Sequence, residues 1–381
     1  MTSTTKDPIL VVIQLTGGND YMNTVIPYAD GRYHDNRPTV GIPADQVLHI
    51  DDQFGFNPAL PEIKTLYDAG KVAVINGIGY PTPNRSHFRS MDIWHTCEPE
   101  KVGTEGWLGR VIRDLDPRAE NVLTGVNFGR GLPRAMALTG VPVASVAVLE
   151  TYGVLTGIVN EPERSQALDI FARMYSPTVG LGATMDYLGQ TGLDALKGAD
   201  ILKAAPDMYT SSVEYAETGI ARNLQGIAKV LTANLGTRVF YTQQGGYDTH
   251  ASETDVQPKL LSELSRAVSD FYADLREHDT ADGEPLSNRV VMFVFTEFGR
   301  RVRDNGSGTD HGSGGVAFAI GDPVRGGMYS EYPSLAEADL VEGDLAFNTD
   351  FRGVYGALVE QWLGLDAQPV VGGNFEQPGF V

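Results

Sequence analysis

An α/β fold built on a doubly wound, mainly parallel sheet flanked by helices is what this sequence predicts, and three observations predict it. Short runs rich in Val, Ile and Phe recur along the chain with helical patterns between them. The runs are apolar on successive residues rather than on alternate ones, as strands covered on both faces require. Each run ends in a glycine or polar cluster, the place where open sheets of this kind put their binding crevice.

The strands in order are "ILVVIQL" over 9–15, "KVAVINGIG" over 71–79, "NVLTGVNFG" over 121–129, "TRVFYTQQ" over 237–244 and "RVVMFVFT" over 289–296. Between the last two, "DVQPKLLSELSRAVSDFYADLREH" carries Leu260, Leu261, Leu264, Val268, Phe271 and Leu275 at helical spacing, the apolar stripe of a crossover helix. Near the C-terminus "TDFRGVYGALVEQWLGL" predicts a second helix, capped by Thr349 or Asp350, with Val354, Leu358 and Trp362 facing inward. From about 150 to 230 strand runs give way to helical patterns such as "ERSQALDIFARMY" and "EYAETGIARNLQGIAKVL". This stretch is expected to be a helical insertion within one domain spanning 1–381.

Composition excludes several functions. With 49 acidic against 29 basic residues the formal net charge is −20, a field that repels nucleic acid and anionic lipid. No run approaches the roughly 18–20 apolar residues of a membrane span, so the chain reads as soluble. Cys97, the single cysteine, cannot form an internal disulfide. The start "MTSTTKDPILVV" shows no apolar signal region, so the chain reads as cytoplasmic as written, and as exported if a signal was removed.

Four polar clusters follow the strands and could carry chemistry. They are "QLTGGNDYMN" with Asn19 and Asp20, "PTPNRSHFRSMDIWH" with Arg85, Ser86 and His87, "QQGGYDTH" with Asp248 and His250, and "FTEFGRRVRDNGSGTDHGSGGVAFAIG" with Glu297, Arg300, Asp310 and His311. Each has a structural explanation as well. Gly17 and Gly18 can simply turn the chain, and they lack the third glycine of a dinucleotide fingerprint. Ser86 can be the N-cap of a helix holding Met91 and Trp94. Asp248 and His250, two apart, share a face on an extended strand end and can simply bond to each other. Trp94 and His95 are expected to pack, and His34, His49 and His278 sit in polar turns.

The joint pattern is more telling than any one cluster. Asp, Glu and His side chains at consecutive strand ends of a doubly wound sheet converge on one crevice, and mixed oxygen and imidazole ligands suit zinc or manganese, one or two ions. The Asp, Glu and His side chains of the four clusters are the candidate ligands. Such an ion, with Arg85 or Arg300, gives this acidic protein the local positive centre that a small anionic substrate needs.

In this order, "QLTGGND", "NRSHF", "GGYDTH", "TEFGR" and "DHG" resemble the bacterial family catalogued as domain of unknown function 1501, a distant relative of the alkaline phosphatase and sulfatase superfamily. The resemblance implies an alkaline-phosphatase-like sheet. It matches Asp20 to a first metal-binding aspartate and Ser86 or a neighbour to a nucleophile. Asp248 and His250 match one metal group, Glu297 a bridge to the other, and His311 a final histidine with Asp310 as its partner or an extra ligand. Two departures stand out: Phe298 occupies a position that the superfamily usually gives to histidine, and "DTH" separates its Asp and His by one residue rather than three. "NRSHF" also lacks the modification motif of formylglycine sulfatases.

The activity implied is metal-dependent hydrolysis of a phosphate-type ester, with Ser86 or a metal-bound water as nucleophile and His87 as a candidate base. Arg85 and Arg300 are expected to meet the charge on the transferred group. The alternative is a noncatalytic binding or scaffold protein that retains an eroded metal site, which Phe298 favours.

Overall fold

The first apolar run lies at the heart of a nine-stranded sheet. The computed structural model describes residues 7–152, 158, 160–175, 182–203 and 205–381. Its main strands are β1 (Ile9–Thr16), β2 (Val72–Gly79), β3 (Gly125–Phe128), β4 (Ala144–Val146), β5 (Val239–Gly245), β6 (Val290–Thr296), β7 (Gly315–Ile320), β8 (Gly327–Tyr329) and β9 (Thr349–Asp350). They lie in the order β8-β2-β7-β6-β1-β5-β3-β4, with β9 also on β2. Every described strand of this sheet runs the same way except β7, which is antiparallel to both β6 and β2.

The alternation of side chains along β1 sends its residues into two cores. Ile9, Val11, Ile13 and Leu15 meet α5 (Gly219–Thr232) and α6 (Glu253–Glu277) through Leu224, Ile227, Leu264 and Val268. Leu10 and Val12 lie on the other face with Trp94 of α1 (His87–Thr96), Val111 of α2 (Trp107–Leu115) and Val354 of α7 (Phe351–Ala357). Helices therefore cover both faces, which is why the strands read as unbroken apolar runs.

The crossover helix stands where its stripe placed it, as α6, with Leu261, Leu264, Val268, Phe271 and Leu275 buried. Asp350 caps α7 by accepting from the Arg352 N–H at 2.9 Å, while Thr349 bonds Ser330 at 2.6 Å instead. The run 121–129 is a strand only over Gly125–Phe128, because the Asn121 side chain accepts from the Leu123 N–H and turns the chain first. The helices α3 (Glu161–Tyr175) and α4 (Ala183–Leu202) fall in the stretch expected to be an insertion. Residues 1–6, 153–157, 159, 176–181 and 204 lie outside the described residues. No described helix is long and apolar enough to cross a membrane.

This topology positions a site. β1, β2, β5 and β6 end at one edge of the sheet, and β7, running the other way, begins there. The loops carrying Asp20, His87, Asp248, Glu297 and His311 therefore open on a common edge.

Candidate metal centre

His87 is the first residue of α1, with Ser86 in extended conformation as its N-cap. The helix start is tied to the end of β6, since the Ser90 hydroxyl donates to the Glu297 carbonyl at 2.6 Å. Beside it the Glu297 side chain is buried, and its Oε1 accepts from the Gly17 N–H at 2.9 Å and faces His87 Nδ1 at 2.8 Å. That hydrogen bond raises the His87 pKa against the opposing pull of burial. The opposite nitrogen, Nε2, is buried without a hydrogen bond, 3.4 Å from Asp248 Oδ2.

Asp248 comes after β5 on a loop seated against the turn that follows β1. A Cβ at Gly17 (φ +123°) would collide with the Asp248 backbone nitrogen, and one at Gly18 (φ +74°) with the Phe298 ring, so only glycine allows this approach. Arg300, fully buried, fastens the loops together. It donates to the carbonyls of Gly17, Gly18, Tyr247 and Thr309, and reaches Asp248 Oδ1 at 2.8 Å. Desolvation raises the Asp248 pKa, but the Arg300 and His311 hydrogen bonds outweigh it and hold the carboxyl at about 2.

His311 Nδ1 lies 2.7 Å from the Arg85 carbonyl, and its Nε2 lies 3.1 Å from Asp248 Oδ1. His250 places Nδ1 3.0 Å from Asp310 Oδ1 and Nε2 3.1 Å from Asp248 Oδ1. The His250 hydrogen bond, chief among its contacts, lowers the pKa of Asp310. The ring of Phe298 packs against both His87 and His311 at 4.9 Å.

These contacts fix the direction of the donors. A carbonyl or carboxylate oxygen can only accept, so each Nδ1 of His87, His250 and His311 carries a proton, and any proton on the Nε2 atoms of His250 and His311 is donated to Asp248 or shared between them, the place a cation would take. All three Nε2 atoms point toward Asp248. Those of His250 and His311 are 2.9 Å apart, where two lone pairs repel until a proton or a cation comes between them. One ligand atom each from His87, Asp248 and His311 lie within 4.8 Å of one another. His87, Asp248 and His311 thus offer two imidazoles and a carboxylate, with His250 alongside and each Nδ1 braced by an oxygen, donors of the kinds that divalent ions such as zinc take. The residues present therefore fit a divalent ion.

The other side chains expected at the site stand as follows. Asp20 reaches the same edge but not the centre: it is buried and paired with Arg37, whose Nη2 lies 3.2 Å from Asp20 Oδ1. Glu297 stands one residue back from a ligand position, because both its oxygens already accept, from Gly17, His87 and Thr296. Asp310 likewise braces His250 rather than facing Asp248. Arg300 is buried and turns its recorded donors to backbone carbonyls and Asp248. Arg85 turns its guanidinium to Asp344, 2.7 Å away. Ser86 is exposed and makes no cap hydrogen bond. His87, expected as a base, lies with the ligands.

Sequence reasoning missed a second cluster behind the first. Glu253 is buried beside Asp20, accepts from Thr309 at 2.6 Å and Asn23 at 3.1 Å, and lies 3.8 Å from Arg37. Burial and the Asp20 charge push its pKa up to about 9. Asp20 moves down, since Arg37 overcomes the desolvation that would raise it. Nothing in "DNRP" or "SETD" marked Arg37 and Glu253 as partners.

A family model described as "Protein of unknown function (DUF1501)" matches residues 192–368, which include Asp248, His250, Glu297, Asp310 and His311. The chain resembles the DUF1501 proteins. No curated protein matches it by sequence. Among solved structures it is similar to the C-terminal periplasmic domain of EcEptC from Escherichia coli, with 9% identity, coverage of 100% of this chain and 89% of that one, and a TM-score of 0.41. That domain has also been solved in complex with Zn. A putative sulfatase from Bacteroides thetaiotaomicron is similar at 9% identity, 98% and 76% coverage and a TM-score of 0.40. A protein in the alkaline phosphatase superfamily from Vibrio parahaemolyticus is similar at 8% identity, 97% and 69% coverage and a TM-score of 0.37.

Proposed function

We propose that this protein is a metal-dependent hydrolase of a phosphate-type ester, whether phosphate, phosphonate or sulfate, and that it holds one zinc ion through His87, Asp248, His250 and His311. The observation that carries the reading is the convergence of three Nε2 atoms on Asp248, that of His87 buried without a hydrogen bond and those of His250 and His311 2.9 Å apart. A divalent ion bound there polarises an ester oxygen and lowers the pKa of a nearby hydroxyl. A single ion suffices because Asp20, the acid expected to bind another, already has the Arg37 guanidinium as its cation.

The chain's own residues do the rest. Glu297, the Arg85 carbonyl and Asp310 bond the three Nδ1 atoms and so turn each Nε2 toward Asp248, where a cation would displace any proton it carries. Arg300 keeps Asp248 deprotonated and immobile. The start of α1 turns backbone N–H groups toward the same edge, where its dipole favours an anion. Attack comes from a water or from the Ser86 hydroxyl, which stands free beside His87.

Elemental analysis of protein purified without added metal should find about one zinc per chain, and a screen of phosphate, phosphonate and sulfate esters should find turnover that a chelator removes. His311→Ala should weaken zinc binding by at least roughly 10- to 100-fold with the fold intact. No bound metal and no thermal shift on adding zinc would sink the proposal. Metal without turnover on any ester would favour a noncatalytic binding protein, a reading that the uncapped and unpartnered Ser86 hydroxyl supports.

A further inference from the structure

We propose that Arg85 and Arg301 form an exchanging pair on the buried carboxylate of Asp344, and that the exchange releases Arg85 to bind an oxyanion beside His311. The inference rests on the reading that the centre takes an anionic ligand, and it names the residues that would recognise it.

Asp344 is buried on a loop tied to the segment that follows His311, where the Ser313 hydroxyl bonds the neighbouring Leu345 carbonyl at 2.7 Å. Its two oxygens are treated unequally. Oδ2 receives Arg85 twice, from Nε at 2.9 Å and from Nη2 at 2.7 Å. Oδ1 is buried with no hydrogen bond at all. Burial raises the Asp344 pKa despite the Arg85 contact. A carboxylate oxygen left so is a seat waiting for a donor, and the cation placed to take it is Arg301, whose Nε stands 4.0 Å away. A shift of roughly 1 Å would bring that nitrogen to hydrogen-bond distance. Arg301 is free to make it: its side chain is partly exposed, and its guanidinium reaches only the Glu342 carbonyl, at 3.5 Å.

Arg301 on Oδ1 shares the single charge of Asp344 and repels the second guanidinium, so the two bonds of Arg85 to Oδ2 weaken and a bound anion can draw it off, against only Glu342, an exposed partner at 3.3 Å. The Arg85 main chain does not need to move, because its carbonyl stays on His311 while the side chain swings. A released guanidinium offers parallel N–H donors to a tetrahedral oxyanion. The other arginine at the centre, Arg300, is buried and already held by backbone carbonyls and Asp248.

The test is calorimetric titration of inorganic phosphate into the full-length protein, with and without one equivalent of zinc. Arg85→Gln should weaken phosphate binding about tenfold or more, the worth of charge-assisted hydrogen bonds. Arg301→Gln, at a partly exposed site that tolerates the change, should weaken it roughly threefold, because Arg85 then stays on Asp344. Asp344→Asn should tighten it by about threefold, as a neutral amide competes less for Arg85. In the Asp344→Asn background Arg301→Gln should have no further effect, a coupling that a merely structural arginine does not produce. If Asp344→Asn weakens phosphate as Arg85→Gln does, or if the Arg301→Gln effect is additive, the exchange is wrong. Phosphate binding that ignores zinc but keeps the arginine pattern supports the exchange and overturns the metal centre. Wild-type protein that binds no phosphate in either state overturns both.

Discussion

Two clusters of acids and bases share one edge of the sheet, and they have opposite characters. In the cluster of Asp20, Arg37 and Glu253 the charges are buried and their needs are met internally. Arg37 serves Asp20 and the carbonyls of Val302 and Arg301, and Glu253 accepts from Thr309 and Asn23. In the cluster of His87, Asp248, His250 and His311 the side chains are partly exposed and three ring nitrogens crowd one carboxylate. The first behaves as a rivet through the loops, the second as a socket. The difference shows that polar residues at a strand end do not make a site by themselves. A site needs donors or acceptors that the protein has oriented and left unanswered.

The largest expected effect comes from breaking the rivet. Arg37→Met keeps much of the side-chain volume but leaves two carboxyl groups buried without their cation, at a cost of about 3–5 kcal/mol. Urea unfolding should show that loss, while zinc stoichiometry in the folded fraction stays at the wild-type value. His311→Ala should do the reverse, losing zinc with little change in metal-free stability. If Arg37→Met abolishes zinc binding in protein that is still folded, the two clusters are one unit and the division is mistaken.

Glu253 gives the rivet a pH dependence whose sign can be derived. Its pKa rises from 4.5 to about 9 on folding, so the folded state keeps a proton that the unfolded chain releases. Stability is therefore unaffected by this group below about pH 4.5 and falls as pH rises toward 9, by up to about 1.4 kcal/mol per unit for one proton. Glu253→Gln imitates the protonated acid and removes that slope. The hydrogen bond from Asn23 that an amide disturbs offsets roughly 1 kcal/mol of this, and the variant should still be more stable than wild type at pH 8. It should gain nothing at pH 5. Unfolding curves at both values check this, and a pH-independent difference would mean that Glu253 is ionised in the folded protein.

How far the sequence could be read follows from the same contrast. Periodicity and strand-end position are local properties, so the sheet, the crossover helix α6, a cap at Thr349 or Asp350 and the strand-end position of the four polar clusters were legible. What a side chain does at that edge depends on its neighbours in space. Asp20 looked like a ligand because Arg37, seventeen residues on, carries no periodic or motif signal. Ser86 and His87 are adjacent, and only the seating of α1 on the Glu297 carbonyl decides that His87 is the one turned inward. The role of Asp344 depends on two arginines far from it in the chain and on the burial of one oxygen atom.

The smallest expected effect probes the boundary between rivet and socket. Glu297 belongs to both kinds, buried and fully bonded like Asp20, yet bound to a ring whose far nitrogen is unanswered. Glu297→Gln preserves its shape. The amide can still accept from His87 Nδ1 through its oxygen, but it brings no charge, so the ring is less basic and a weaker donor of its Nε2 lone pair. Zinc affinity should fall about tenfold, at the low end of what bracing carboxylates contribute. The raised pKa of His87, whose chief cause is this same hydrogen bond, should drop back toward 6.5 in the metal-free variant, which NMR titration of the ring protons can follow. If zinc affinity is unchanged while the His87 pKa falls, His87 is not a ligand and the centre contracts to Asp248, His250 and His311. If both stay put, the charge of Glu297 does not reach the ring, and its work is confined to holding the Gly17 turn.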